Sequence, residues 1–117
     1  MLRARVAVVQ PREALAQTTA RHLRAAGFEP VVLPDGDSAV RLAVTDPPAV
    51  VLLDLTLPAL DGWCVLAALG TRQGPPVVVY GASGDAARAV LLGAAACVHD
   101  RGTVVAALRR LLTPVPS

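Results

Sequence analysis

Short apolar runs alternate along this chain with longer segments in which apolar residues recur every three or four positions. The short runs predict β-strands and the longer segments predict amphipathic helices. The predicted strands cover residues 5–9, 30–33, 49–55, 75–82 and 96–100. The predicted helices cover residues 13–27, 36–46, 62–70, 84–93 and 103–112. Each strand is therefore followed by one helix, and Gly27 is expected to end the first of them.

Regular alternation of strands and helices is typical of a parallel sheet covered by helices on both faces. The run at 49–55 is apolar up to Asp54, which predicts a central strand buried on both sides. Pro30 opens the second strand and favours an edge position, because proline cannot donate to a strand ladder. These features predict an α/β chain of the flavodoxin-like (βα)5 type, a three-layer sandwich with strand order 2-1-3-4-5. In such sheets the functional site lies at the carboxyl ends of strands one and three.

Composition narrows the function classes. Hydrophobic residues make up 54% and charged residues 17% of the 117 positions, so some apolar side chains must lie on the surface, where partners commonly cover them. A net charge of +2, with basic residues spread along the chain, argues against direct nucleic-acid binding. No apolar run approaches the roughly 18 residues that span a membrane. Cys64 and Cys97 lack metal-binding spacing, which favours reduced thiols in a cytoplasmic protein.

We expect one domain over 1–112, with 113–117 as a tail or the start of a linker.

The segment "VVLLDLTLPALDGW" at 50–63 carries Asp54 and the pattern D-x-x-L-P-x-x-D-G. In this it resembles the receiver domain of bacterial response regulators. The similarity continues through "AAG" before the second strand, "DPPAVVLLD" into the third and "LLGAAACV" into the fifth. The resemblance implies that Asp54 occupies the phosphoacceptor position, which in the family takes a phosphoryl group from a histidine kinase with the help of Mg²⁺.

The other positions of the family's pocket have changed. Where the family has an acidic pair that holds Mg²⁺, this chain has Gln10 and Pro11, which offer one neutral oxygen between them. The hydroxyl position at the end of strand four is Gly81, and the lysine position at the end of strand five is Asp100. Cys97 stands where the family has its switching aromatic. We therefore expect no Mg²⁺ binding and no other cofactor, and we predict a degenerate, or pseudo-, receiver that is not an enzyme.

Three interpretations of Asp54 remain open. In the favoured one it is a structural group that accepts hydrogen bonds from loop amides or pairs with Arg12 or Arg101. In the second it still accepts a phosphoryl group slowly. In the third it binds a cation together with Asp100. Nearby polar residues have simpler roles: Asp61 in an Asp-Gly turn and Ser83 as the N-cap of the fourth helix.

If the pocket is inert, function must come from the surface. Assigning Val90, Leu92, Leu108 and Leu111 to the core leaves Leu91, Val105 and Leu112 as a candidate apolar face, with Arg88 and Arg109 as its polar rim. This face would join helix four, strand five and helix five, through which the resembled family dimerises or contacts output domains. The alternative is a scattered apolar surface without meaning.

The predicted function is thus a signalling module that binds another protein, an output domain or a second copy independently of phosphorylation. An inefficient phosphoacceptor served by a histidine kinase is the alternative. A flavin- or nucleotide-binding enzyme is set aside, because the chain lacks a glycine-rich phosphate loop and an aromatic platform.

Overall fold

A computed structural model describes residues 3–55, 62–70, 74–81 and 83–112. It contains five strands, β1 to β5, which span Arg5–Val9, Glu29–Leu33, Val50–Asp54, Val77–Tyr80 and Ala96–Val98. Five helices, α1 to α5, span Glu13–Ala25, Gly36–Thr45, Gly62–Gly70, Ala86–Leu91 and Arg101–Leu112. A 3₁₀ turn at Ser83–Asp85 precedes α4. The predicted roles of Asp61 and of the tail at 113–117 lie outside the described residues.

The five strands form one parallel sheet in the order β2-β1-β3-β4-β5, which confirms the predicted architecture. Pro30 lies on the edge strand β2, opposite Val6. β1 and β3 are central neighbours, with Val9 aligned to Leu53. The residues that follow this pair, at the carboxyl edge of the sheet, therefore come close together.

The sheet carries an aliphatic core on each face, because successive strand residues point to opposite sides. On β1, Ala7 and Val9 pack toward α2, α3 and α4, together with Val65 and Leu66. Val6 and Val8 pack on the other face, toward α1 and α5. Both clusters are almost purely aliphatic, as the composition predicts.

The end of α1 shows why its predicted limit is close to the observed one. Gly27 has φ +95°, a backbone conformation that residues with a side chain rarely adopt. Its N–H donates to Arg24 O at 3.0 Å, and Phe28 N–H donates to Leu23 O at 2.9 Å. These two bonds form a Schellman motif, which satisfies the last carbonyls of the helix.

The main departures from the predicted boundaries fall in the second half of the chain. β5 ends at Val98 and α5 begins at Arg101, each two residues earlier than expected. The 3₁₀ turn makes Asp85, and not Ser83, the N-cap residue of α4. Among the described residues, no helix is long and apolar enough to cross a membrane.

Candidate functional site

A hydrogen bond between two side chains occupies the carboxyl edge of the central strands. Asp54 is the last residue of β3 and is half-buried, while Gln10 follows β1 and is 9% exposed. Gln10 Nε2 donates to Asp54 Oδ2 at 2.5 Å. Gln10 Oε1 accepts the backbone N–H of Arg12 at 3.1 Å. The two partners fix the amide orientation, because a flipped amide would set oxygen against carboxylate and N–H₂ against N–H.

This arrangement does not fit a magnesium ion. Mg²⁺ binds oxygen ligands, usually carboxylates and water, yet Gln10 presents its nitrogen to Asp54 and its oxygen is engaged by Arg12. Pro11 has no side-chain oxygen to offer. Within the described residues, no group of three or more His, Cys, Asp or Glu side chains could hold a metal.

The structural interpretation of Asp54 thus gains a partner that the sequence did not suggest. Gln10 was expected to offer an oxygen, and instead it donates through its nitrogen. Arg12, a predicted ion-pair partner, joins the network through its backbone N–H. The side chain of Arg101 lies outside the described part of the structure.

Gly81 marks the position where the resembled family carries a hydroxyl. It is buried at the end of β4, and its N–H donates to Val98 O at 3.0 Å. A Cβ built at Gly81 would lie 3.1 Å from Asp85 Oδ2 and 3.1 Å from Leu55 Cδ1. The space beside Gly81 is therefore bounded by a carboxylate and an apolar side chain. Asp85 was not among the residues predicted from the sequence, although it follows Gly81 by only four residues.

The side chains of Cys97 and His99 lie near this end of β4 and β5. Cys97 is half-buried against the core on the α2–α3–α4 face. Burial raises the pKa of its thiol, and the negative charge of Asp85 raises it further, so the thiol stays protonated at neutral pH. His99 Nδ1 lies 2.9 Å from Gly81 O. Because a carbonyl only accepts, Nδ1 must carry the proton of that bond.

Asp100 caps a helix. Its Oδ1 accepts the backbone N–H of Gly102 at 3.0 Å, and its carbonyl accepts Thr103 N–H at 3.0 Å. Since α5 begins at Arg101, Asp100 holds the N-cap position, where an aspartate is among the preferred residues. This geometry directs the carboxylate to the start of α5 and explains why the helix begins earlier than predicted. It gives no support to a cation site shared with Asp54.

The predicted apolar face is partly wrong. Leu91 is 85% exposed, as expected, but its neighbour Val90 is 58% exposed and Ala89 takes the core position. On α5, Val105 and Leu112 pack against the core, and Leu111 is exposed instead. Leu111 and Leu112 follow buried Leu108 by three and four residues, so helical spacing suits both, and α5 packs with Leu112 against the core. Val90 and Leu91 together are hereafter called the α4 patch.

The two arginines assigned to the rim of that face point to different parts of the molecule. The guanidinium of Arg88 lies over the ring of Trp63, 4.2 Å from its centroid, and links α4 to α3. Arg109 Nη2 approaches Ala26 O at 3.4 Å, at the end of α1. They do not form one rim.

Comparison with known proteins now identifies the class. The family model described as the response regulator receiver domain matches residues 6–112. The chain belongs to this family, whose members are signalling modules.

Curated relatives include the DNA-binding response regulator MtrA of Mycobacterium tuberculosis, strain H37Rv. It is 36% identical over 90 residues, which are 77% of this chain and 40% of the relative. The sensory transduction protein RegX3 of Mycolicibacterium smegmatis is 39% identical over 74 residues, 63% of this chain and 32% of that protein. This chain thus spans less than half the length of these relatives.

Solved structures share the fold at lower sequence identity. The receiver domain of a sensor histidine kinase from Pseudomonas aeruginosa superposes with a TM-score of 0.82 at 20% identity, over 97% of this chain and 100% of that one. That structure holds a magnesium ion in its active-site cleft. A response regulator receiver domain from Bermanella marisrubri gives a TM-score of 0.81 at 25% identity, over 96% and 100% of the two chains.

Proposed function

We propose that this chain is a pseudo-receiver, a receiver domain that signals through protein contacts without being phosphorylated. The observation that carries the proposal is the hydrogen bond from Gln10 Nε2 to Asp54 Oδ2. It places a neutral amide, held in turn by Arg12 N–H, where a functional receiver needs metal-binding carboxylates. Asp54 is then a structural acceptor at the carboxyl edge of the sheet.

Electrostatics supports the proposal. A phosphoryl group is anionic, and its transfer to a carboxylate needs positive charge or preorganised donors at the reacting oxygens. Asp85 brings a carboxylate to the side of Gly81, and Asp100 replaces a cation with an anion. Losing one preorganised donor commonly lowers a rate about 10²–10³-fold. Loss of the metal ligands, the hydroxyl and the lysine together removes most of the transition-state stabilisation for phosphoryl transfer.

The proposed partner is an output domain, another protein or a second copy of this chain. The relatives named as DNA-binding response regulators are more than twice as long as the matched segment, which supports an output domain as the partner. The α4 patch is the most exposed apolar surface of the described residues. It supports a protein contact at α4.

Slow phosphorylation of Asp54 by a histidine kinase is the second candidate. The observation in its favour is that Asp54 keeps its place at the end of the central strand β3 and remains half-exposed. The carboxylate is therefore accessible to a small phosphodonor from solvent.

Incubation with acetyl phosphate and Mg²⁺, followed by intact-mass spectrometry, separates the two candidates. The pseudo-receiver proposal predicts no added phosphoryl group in the wild-type chain, matching Asp54→Asn. A receiver domain that retains its acidic pair serves as the positive control. Phosphorylation of the wild type that is lost in Asp54→Asn would establish the second candidate instead.

A further inference from the structure

A cavity of about 50 Å³ lies between α1 and α5 on one face of the sheet, and it is partly open to solvent. Strands β1, β3 and β4 border it with Val8, Leu52 and Tyr80. The helices border it with Thr19 on α1 and Val105 on α5, which are both short side chains. The two helices therefore leave a space that their own side chains do not fill.

Most of the lining is aliphatic. Val8, Leu23 and Leu52 belong to the core cluster beneath α1 and α5. Val104 and Val105 of α5 extend this apolar part. An alkyl group in the cavity would contact aliphatic carbon on several sides, and such an environment favours its transfer from water.

The hydroxyl groups of Thr19 and Tyr80 give the lining a neutral polar part, because a hydroxyl can both donate and accept a hydrogen bond. Asp54 also borders the cavity, where it is already engaged by Gln10. None of the described lining residues is a lysine or arginine. An anionic ligand would thus lie beside a carboxylate without either of these cations to bind it. The lining suits an uncharged ligand with one polar head.

The volume limits the size of that ligand. One water needs roughly 10–15 Å³ of such space, so the cavity admits about three to five water-sized groups. That is the size of a short branched alkyl chain with one hydroxyl group. A six-membered ring that carries a hydroxyl is too large.

We propose that this cavity binds a small neutral amphiphile, a short-chain alcohol of a few heavy atoms. The alkyl part packs on Val8, Leu52 and Val104, and the head forms hydrogen bonds with the hydroxyl groups of Thr19 and Tyr80. Binding itself is independent of the pseudo-receiver function. Its use as an input signal that needs no phosphoryl group rests on that function.

Amide NMR of the ¹⁵N-labelled chain, titrated with isobutanol, tests the proposal. We expect saturable shifts in Gln10, Thr19 and Val105, with a dissociation constant on the order of millimolar for so small a probe. Isobutylammonium and isobutyrate are the charged isosteres. Both should bind more weakly than isobutanol, because a largely apolar cavity penalises an ionised head. Cyclohexanol exceeds the cavity and should give no saturable shifts at these residues.

Variants of the lining localise the binding. Val105→Phe should fill the cavity and abolish the shifts, and Thr19→Leu gives the same test on α1 if that variant fails to fold. The double variant Thr19→Val with Tyr80→Phe removes both hydroxyl groups. It should weaken isobutanol about two- to tenfold, because a neutral hydrogen bond is lost. Leu91→Ala, on the exposed side of α4, is the matched control and should bind like the wild type.

Four results would overturn the proposal. They are no saturable shifts in the wild type, undiminished binding in both filled variants, tighter binding of a charged isostere, and unchanged isobutanol affinity in the double variant. The first would mean that the cavity holds water only. These failures are distinct from failure of the pseudo-receiver proposal, which the phosphorylation assay measures separately.

Discussion

Gln10 Nε2 and Asp54 Oδ2 lie 2.5 Å apart, so a neutral amide donates to the carboxylate at the phosphoacceptor position of this receiver domain. The same amide accepts the N–H of Arg12 through its oxygen. One side chain therefore bonds both to a backbone donor in the loop after β1 and to a half-buried acid at the end of β3.

Removing the amide should destabilise the fold. Gln10→Ala removes one hydrogen bond to the half-buried Asp54 and one from Arg12 N–H, and the loss of a hydrogen bond to a charged group costs about 1.5–3 kcal/mol. Urea denaturation measures the free energy of unfolding. Gln17→Ala, on the exposed side of α1, is the matched control and should change it by less than about 0.5 kcal/mol. Equal stability of both variants would show that the Gln10–Asp54 contact does not stabilise the structure.

Because Asp100 caps α5, its substitutions should lower the free energy of unfolding by different amounts. Asp100→Ala should cost about 1 kcal/mol of unfolding free energy, since Gly102 N–H loses its acceptor. Asp100→Asn should retain most of the stability, because asparagine is an equally good N-cap. Asp100→Lys, which recreates the charge found in the family, should be no more stable than alanine, because a cation is unfavourable at a helix N-terminus. A lysine variant as stable as the wild type would contradict the capping role.

Asp35 predicts a pH dependence. Its side chain accepts Ser38 N–H at 2.8 Å at the start of α2, and this bond lowers the pKa of the carboxyl below its ordinary value. A lowered folded-state pKa gives stability that is present above the unfolded-state pKa and is lost as the pH falls through the folded-state pKa. Asp35→Ala should therefore be less stable than the wild type at pH 7, with the gap shrinking below about pH 4. A gap that stays constant between neutral and acid pH, in urea melts, would exclude this linkage.

A substitution in the α4 patch should change self-association without changing the free energy of unfolding. Leu91→Asp should change the unfolding free energy by less than about 0.5 kcal/mol, because the side chain is exposed. Leu108→Ala, in the core of α5, should cost about 2–5 kcal/mol. If the α4 patch forms a contact between copies, sedimentation equilibrium should show the wild type associating more strongly than Leu91→Asp. A monomeric wild type would remove self-association from the proposal, and a strongly destabilised Leu91→Asp would show that the patch is not surface.

The fold was predictable because the hydrophobic spacing is unambiguous. The apolar run ending at Asp54 and the proline at the start of β2 fixed which strands are central and which one is at an edge. Gly27 ends α1 by a mechanism visible in the sequence. The changed pocket positions were also readable, since each is a single residue at a recognisable place.

Side-chain partners were less predictable. The sequence suggested loop amides or the cations of Arg12 and Arg101 as partners of Asp54, whereas the sheet register brings the Gln10 side chain beside it. The charge of Asp100 suggested a changed pocket position, whereas its place directly before α5 makes it the N-cap residue of that helix. The assignment of Leu111 to the core failed because the spacing from Leu108 suits Leu111 and Leu112 alike, and α5 packs with Leu112 against the core. Each miss concerns a local geometry that spacing alone does not determine.

The central claim, that the Asp54 pocket no longer responds to a phosphoryl group, is tested most directly by amide NMR with beryllofluoride and Mg²⁺. This anion mimics an aspartyl phosphate and needs no kinase. The account predicts a spectrum that does not change at Asp54, Leu55 or Gly81, in the wild type as in Asp54→Asn. Shifts clustered at these residues in the wild type, and absent in Asp54→Asn, would show that the carboxylate is still a working phosphoacceptor.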